Sequence, residues 1–273
     1  VISRSMIGEL LAEVVLAGSP VPPWLVEFAT RVEHALAPAR DLVKPVLASW
    51  WTLGIWATLN LVSLGVLWWD VHKRNQNLPS LMKLVWTLVV AYSGPVGLAV
   101  YWYSGRTQLD DDSLWKQGFR SDSHCYSGCG LGEVIGITSA TIILSFSTLW
   151  VTVVTFTLAY LFGYALTVGP LMQEGESFAT AAKDALWTET PSITVMEITA
   201  IGTDLLLAGG AKWTQPLFWT ALFFSLTLGF VAAYPVNAAL IAVGVKEGMG
   251  NPAEMDGSSS GSSASGSSSA SAD

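Results

Sequence analysis

Long apolar stretches broken by short polar ones fill the chain between Trp50 and Val245, and their lengths set the fold. Ser49 to Trp69 is the first unbroken apolar span, with Trp50, Trp51, Trp56, Trp68 and Trp69 gathered toward its ends. Tryptophan favours the headgroup level of a bilayer, where its ring is covered and its N–H stays wet, so this pattern reads as two aromatic belts. A short polar loop, Asp70 to Asn77, precedes a second span, Leu81 to Tyr103, in which Gly94 and Pro95 predict a kink. Gly105 to Ser123 reads as a polar connection with the acidic run Asp110, Asp111, Asp112. From Cys125 to Met172 the only charge is Glu133. One helix needs roughly 20 residues to cross the hydrocarbon, so this stretch crosses twice, turning near Ser145 to Thr148.

Gln173 to Thr190 is polar with a helical stripe of Phe178, Ala181, Ala182, Ala185 and Leu186, a pattern for the membrane surface or for packing against the bundle. Pro191 to Ala208 is a short apolar span containing Glu197 and Asp204. Pro216 to Val245 is a longer one interrupted by Pro235. The sum is an all-α polytopic membrane helix bundle of about six transmembrane helices over residues 48–249. A peripheral N-terminal arm, residues 1–47, is expected to be cut into short helices by its prolines, with Ile7 to Ala17 as an interfacial helix. The tail, residues 250–273, is rich in Ser, Gly and Ala and is expected to be disordered.

Composition agrees: 51% of residues are hydrophobic and 12% charged, where a soluble domain carries about 25% charged. The net charge of −8 and the lack of a basic stripe argue against a nucleic-acid partner. With the N-terminus inside, six crossings place Arg31, Arg40, Lys44, Arg106, Lys116, Arg120, Lys183 and Lys246 on the cytoplasmic side and only Lys73, Arg74, Lys83 and Lys212 outside. That bias predicts both termini inside.

The segment richest in chemistry runs from His124 to Glu133 and carries the only two cysteines, Cys125 and Cys129. On a helix Gly128, Gly132, Gly136 and Ala140 share one sector, and small residues at that spacing let a second helix approach closely. Cys125, Cys129 and Glu133 lie in or beside the same sector, so they are expected to face the bundle. Thiolates with an imidazole and a carboxylate suit Cu(I) or Zn(II), which makes His124, Cys125, Cys129 and Glu133 a candidate metal set, with Met172 or Met196 as further ligands. The bland reading is that small thiols simply pack well between helices. An intramembrane carboxylate is costly enough to imply a role, so Glu197 and Asp204, seven residues apart on one face, are candidate relay groups. Pro235 and Asn237 predict a kink with a hydrogen bond across helices.

The segments His124-Cys125-x-x-Gly128-Cys129-x-Leu131-Gly132-Glu133, Phe162-Gly163-Tyr164 through Pro170-Leu171-Met172, Lys183-Asp184 with Ser192, and Tyr234-Pro235-Val236-Asn237 followed by Gly244-Val245-Lys246-Glu247 resemble a family of small, mostly bacterial, multi-pass membrane proteins known only as a domain of unknown function. The resemblance covers Trp50 to Met249. It implies the membrane architecture and no established activity. Three functions stay open at this level: metal handling as a transporter, chaperone or sensor; thiol-disulfide redox chemistry; and a structural or partner-binding protein whose only partner of known chemistry is the lipid bilayer. Walker, Rossmann, HExxH and serine-nucleophile motifs are absent.

Overall fold

The structure is a computed structural model and describes residues 13–14, 21–109, 111–173 and 175–252. Most of the expected interfacial helix and the Ser-rich tail lie outside the described residues. Eight α-helices and no strand occur among the described residues. In chain order they are α1 (Pro23–Leu47), α2 (Trp50–Lys73), α3 (Ser80–Ser93), α4 (Pro95–Val100), α5 (Leu114–Thr138), α6 (Thr148–Gln173), α7 (Phe178–Ala208) and α8 (Pro216–Ala242). Of these, α2, α6, α7 and α8 are long and apolar enough to cross a membrane. On α2, Trp51 and Trp68 both stand exposed, and the rise from one to the other is about 26 Å, close to the thickness of a hydrocarbon core.

The second expected span is two antiparallel pieces. Gly94 takes φ 55° and ψ −124°, a backbone conformation that glycine alone enters cheaply, and Pro95 then starts α4 at its first position, where its missing N–H costs nothing. The chain therefore reverses. Gly97 packs on the backbone of Val89 and Val90, and Gly105 packs on the ring of Trp86. A π-helical turn, Tyr101–Gly105, brings the chain back to its starting level. There Thr107 donates from its backbone N–H and its hydroxyl to Asn75 Oδ1 at 2.8 and 2.9 Å. Asp70, at the end of α2, closes the same corner by accepting from Asn75 and from the Tyr101 hydroxyl and by pairing with Arg106. The hairpin tip reaches mid-depth only, where Asn60 of α2 donates to the Ala91 carbonyl. The second expected span is therefore a helical hairpin and not one continuous helix.

Other boundaries move as well. Residues 114–123, expected in a polar connection, form the first turns of α5, with Ser113 capping the Lys116 N–H. Helix α7 runs unbroken through Pro191, where the sequence implied a polar helix followed by a separate span. Thr188, Thr190 and Ser192 hydroxyls bond back to the carbonyls of Asp184, Leu186 and Glu189 around the proline, the usual way a helix in a bundle absorbs one. Helix α1 likewise continues through Pro38 and Pro45, both exposed, so each ring costs one hydrogen bond without ending the helix.

Helix α5 is the axis of the bundle. It is rich in Gly, Ser and charge, yet most of it is buried among α3, α6, α7 and α8. The chain enters it at one end, the strap end, turns through a π-helical segment, Ser139–Ile143, and returns along α6. Helix α7 runs parallel to α5 and α8 antiparallel to it. Past α8 the chain folds back across the strap end up to Pro252. Helix α1 finishes at the opposite end, where Leu47 packs with Leu207, Ala208 and Ala221 and accepts from the Thr220 hydroxyl at 2.7 Å. The end of α1 and the chain past α8 thus meet the bundle at opposite ends.

Candidate functional site

The glycines of α5 fix how near its polar groups come to the neighbouring helices. A Cβ on Gly128 would stand 2.7 Å from the Phe162 carbonyl oxygen, one on Gly136 2.6 Å from Thr155 Cα, and one on Gly132 would collide with the Leu158 carbonyl. Ala140 is fully buried in the same line. The facing residues of α6 are Thr155, Ala159 and Gly163, themselves four apart. Gly163 leaves the room taken by Cys129 Sγ, which lies 2.8 Å from where its Cβ would be.

This close packing seals two carboxyls in the interior. Glu133 on α5 and Glu197 on α7 are both 0% exposed, and none of their four oxygens has a hydrogen-bond partner. Glu133 feels the charges of Glu197 and of Asp204, two turns further along α7. Among the described residues no Lys or Arg is paired with any of the three. The thiol of Cys129 lies beside Glu197 and next to Cys125, without hydrogen-bond geometry to either Glu197 oxygen. Both cysteines are free and buried.

The candidate metal set does not close on one ion. Among the described residues no group of three or more His, Cys, Asp and Glu side chains is arranged to hold a metal. The reason is helical rise: from Cys125 to Glu133 the helix climbs about 12 Å, and Cβ directions turn by about 80°, so one ion reaches at most two members. His124 is half-buried at the other end of the set, within the field of Glu189 and Lys246. Met196 is buried, whereas Met172 is 45% exposed and takes no part.

A second polar cluster lies near the strap end, and sequence reading missed all of it except Asn237. Asn237 of α8 donates to Asp122 Oδ1 at 2.8 Å. Lys246, in the chain past α8, donates to Asn237 Oδ1 at 2.9 Å and to Glu189 Oε2 at 2.6 Å. All four are buried, and Asp122 Oδ2 has no partner. Next to it Arg120, 1% exposed, holds the Met249 carbonyl from Nε and Nη2 at 3.0 and 2.8 Å and Asp112 at 2.6 Å. The final strap is therefore bolted to α5. On the rim, a hydrogen bond from the Lys116 ammonium holds the exposed Asp111 carboxyl below the usual carboxylate range. The signal available in the sequence was the polar row Asp122, Tyr126, Cys129 and Glu133, which keeps helical spacing back into the segment where a loop was expected.

At the far end, where the α5–α6 and α7–α8 turns meet, lies a cavity of about 190 Å³. Asp204, Thr141, Thr148, Thr152 and Thr155 give it polar groups among walls that include Phe146 and Phe218.

These features define an all-helical protein, with helices fit to span a membrane, built around a buried polar axis. Residues 114–246 match the family described as Domain of unknown function (DUF4396). The match begins at α5, so α2 and the α3–α4 hairpin lie outside it although the sequence resemblance reached back to Trp50. It takes in the whole polar axis. Comparison with curated proteins gives no match, and comparison with solved structures gives none.

Proposed function

We propose that this protein carries protons across the bilayer along α5 and α7, with Asp204, Glu197 and Glu133 as successive relay groups. One observation carries the reading: two fully buried carboxyls on the contacting helices α5 and α7, with no Lys or Arg among the described residues paired to either and only the Cys129 thiol beside Glu197. A buried pair of this kind costs several kcal/mol as carboxylates unless a counter-charge is supplied, so a proton or another cation must come and go with its charge. Intramembrane acids of this type mark proton and ion pathways. Between groups in reach of each other a carboxylic O–H gives its proton to a carboxylate, across the rise of about 10 Å from Asp204 to Glu197 a chain of water O–H transfers carries it, and no electrons move.

The polar groups extend beyond the pair in both directions. Asp204 lines the cavity at one end. Toward the other, the thiols of Cys129 and Cys125 lead along α5 to His124 and the Asp122, Asn237, Lys246 and Glu189 cluster. The balanced Lys246–Glu189 pair and the strap above it fit a gate that keeps the line from being an open pore.

The test is proton flux into sealed vesicles containing the purified protein and a trapped pH-sensitive dye, driven by a potassium diffusion potential. Parent protein should acidify the lumen, and Glu133→Gln and Glu197→Gln should each cut the rate by about tenfold or more, equivalent to about 1.4 kcal/mol on the barrier. A double Glu133→Gln/Glu197→Gln protein with the parent rate, or a parent no faster than empty vesicles, overturns the reading.

A further inference from the structure

The cavity beside Asp204 has a composition that selects its occupant. One side is α6, where Thr148, Thr152 and Thr155 fall on one face at spacings of four and three, and Thr155 Oγ1 is buried without a partner. Facing it across the space is α7 with Asp204, Ile201 and Leu205, and the remaining walls include Ile137, Phe146 and Phe218. The cavity therefore offers one carboxylate, a row of hydroxyls and two aromatic rings in a mostly apolar shell.

We propose that this cavity is a binding site for a small organic cation, a protonated amine with a short apolar body. The space is about 190 Å³, and an apolar cavity of about 150 Å³ accepts a benzene ring, so a single ring or short chain with an ammonium head fills it. Charge excludes the other ligand classes. An anion would meet Asp204, and a neutral apolar molecule would leave that carboxylate and Thr155 Oγ1 covered and unpaired, at a cost of a few kcal/mol. A transition-metal ion needs several converging His, Cys, Asp or Glu ligands, and the described residues form no such group, while a hydrated alkali ion would leave the apolar walls that line most of the space against water. An ammonium donates to Asp204 and Thr155 together, while the body rests against Phe146 and Phe218, whose ring faces favour a nearby cation.

Ile137 and Gly136 connect the cavity to Glu133 one turn along α5, and Ile201 connects it to Glu197 one turn along α7. A cation at Asp204 and a proton on the acid pair thus lie in one electrostatic field, which makes an amine the partner ion for the proton. That link rests on the proposed relay, whereas binding itself rests on the cavity.

Three probes of one shape and different charge test it: benzylamine, benzyl alcohol and benzoate, each titrated at pH 7 into detergent-solubilised full-length protein and followed by calorimetry. Parent protein should bind benzylamine about tenfold or more tighter than benzyl alcohol, a difference of about 1.4 kcal/mol, and should not bind benzoate. Asp204→Asn should erase the preference and keep the weak alcohol binding, in the same detergent so that micelle partitioning cancels. Ala208→Leu, which fills the cavity and leaves its charge, should abolish both, with a thermal melt confirming that each variant is folded. Equal binding of benzylamine and benzyl alcohol by parent, no binding of benzylamine, or undiminished preference in folded Asp204→Asn overturns the site. No gradient is used, so the two ideas fail separately. Proton flux without amine selectivity removes this inference alone, and amine selectivity without proton flux removes the relay alone.

Discussion

Asn75 and Thr107, separated by the whole α3–α4 hairpin, share two hydrogen bonds through Asn75 Oδ1 at 2.8 and 2.9 Å. The loop before the hairpin and the loop after it therefore lie on one side of the bundle. With that crossing removed, Lys73, Arg74, Lys83, Arg106, Lys116, Arg120, Lys183 and Lys246 all gather at the strap end, leaving Lys212 and the cations of α1 at the other. From the bias of Lys and Arg we propose a cytoplasmic strap end, with the cavity facing outward. Gln76→Cys and Gln108→Cys, both at exposed positions, should then react with maleimide only after permeabilisation of cells, and Lys212→Cys should react from outside. Reaction of Gln76→Cys and Gln108→Cys from opposite sides would restore the six-crossing count. Cys125 and Cys129 are buried and should give little background.

Breaking the strap pair should be costly. Lys246 and Glu189 are paired at 2.6 Å with side chains 8% and 6% exposed. Lys246→Met removes one partner and leaves the other buried and uncompensated, a loss of about 3 to 5 kcal/mol. Lys246→Met/Glu189→Gln should recover most of it. Thermal melts in detergent measure both, and a double variant no better than the single would show that the pair acts through something besides its charge.

The glycine face of α5 makes a steric prediction. Gly132→Val puts a branched side chain against the Leu158 carbonyl and should lower stability by about 3 kcal/mol or more, because overpacking beyond one methylene displaces backbone. Gly54→Ala in α2 has nothing within 4 Å of its new methyl group and should stay within about 0.5 kcal/mol or gain slightly from helix propensity. A melt showing equal losses at both positions would mean that α5 and α6 do not touch as described.

For the thiols, the expected result is an absence of change. Cys125→Ser/Cys129→Ser should hold the same zinc and copper as parent protein after equilibration with each metal and removal of excess. The warrant is the helical rise that keeps His124, the thiols and Glu133 from one ion, and elemental analysis of the two proteins decides it.

The helical membrane character and the turn before Thr148 were legible because they depend on apolar run length. The hairpin was not, although both residues that make it were visible: Gly94 and Pro95 also occur at kinks, and only the contacts of Gly97 and Gly105 tell a reversal from a bend. Glu133, Glu197 and Asp204 stood out because a charge in an apolar run is conspicuous. Asp122, Glu189 and Lys246 did not, because each sits in a segment polar enough to pass for a loop or a surface helix. Their burial depends on partners far along the chain, such as Asn237, 115 residues beyond Asp122. Local periodicity carries no trace of such pairings.

The polarity of α5 also bears on how the protein is made. A segment holding Lys116, Arg120, Asp122 and Glu133 has little tendency to leave the translocation channel for lipid on its own, and its charged half meets Asn237, Lys246 and Met249 only when the last helix and the strap have been synthesised. Insertion of the axis is thus tied to completion of the chain. A polypeptide ending before residue 246 would strand that axis at the channel, exposed to membrane quality control, while the apolar helices around it had already entered the bilayer.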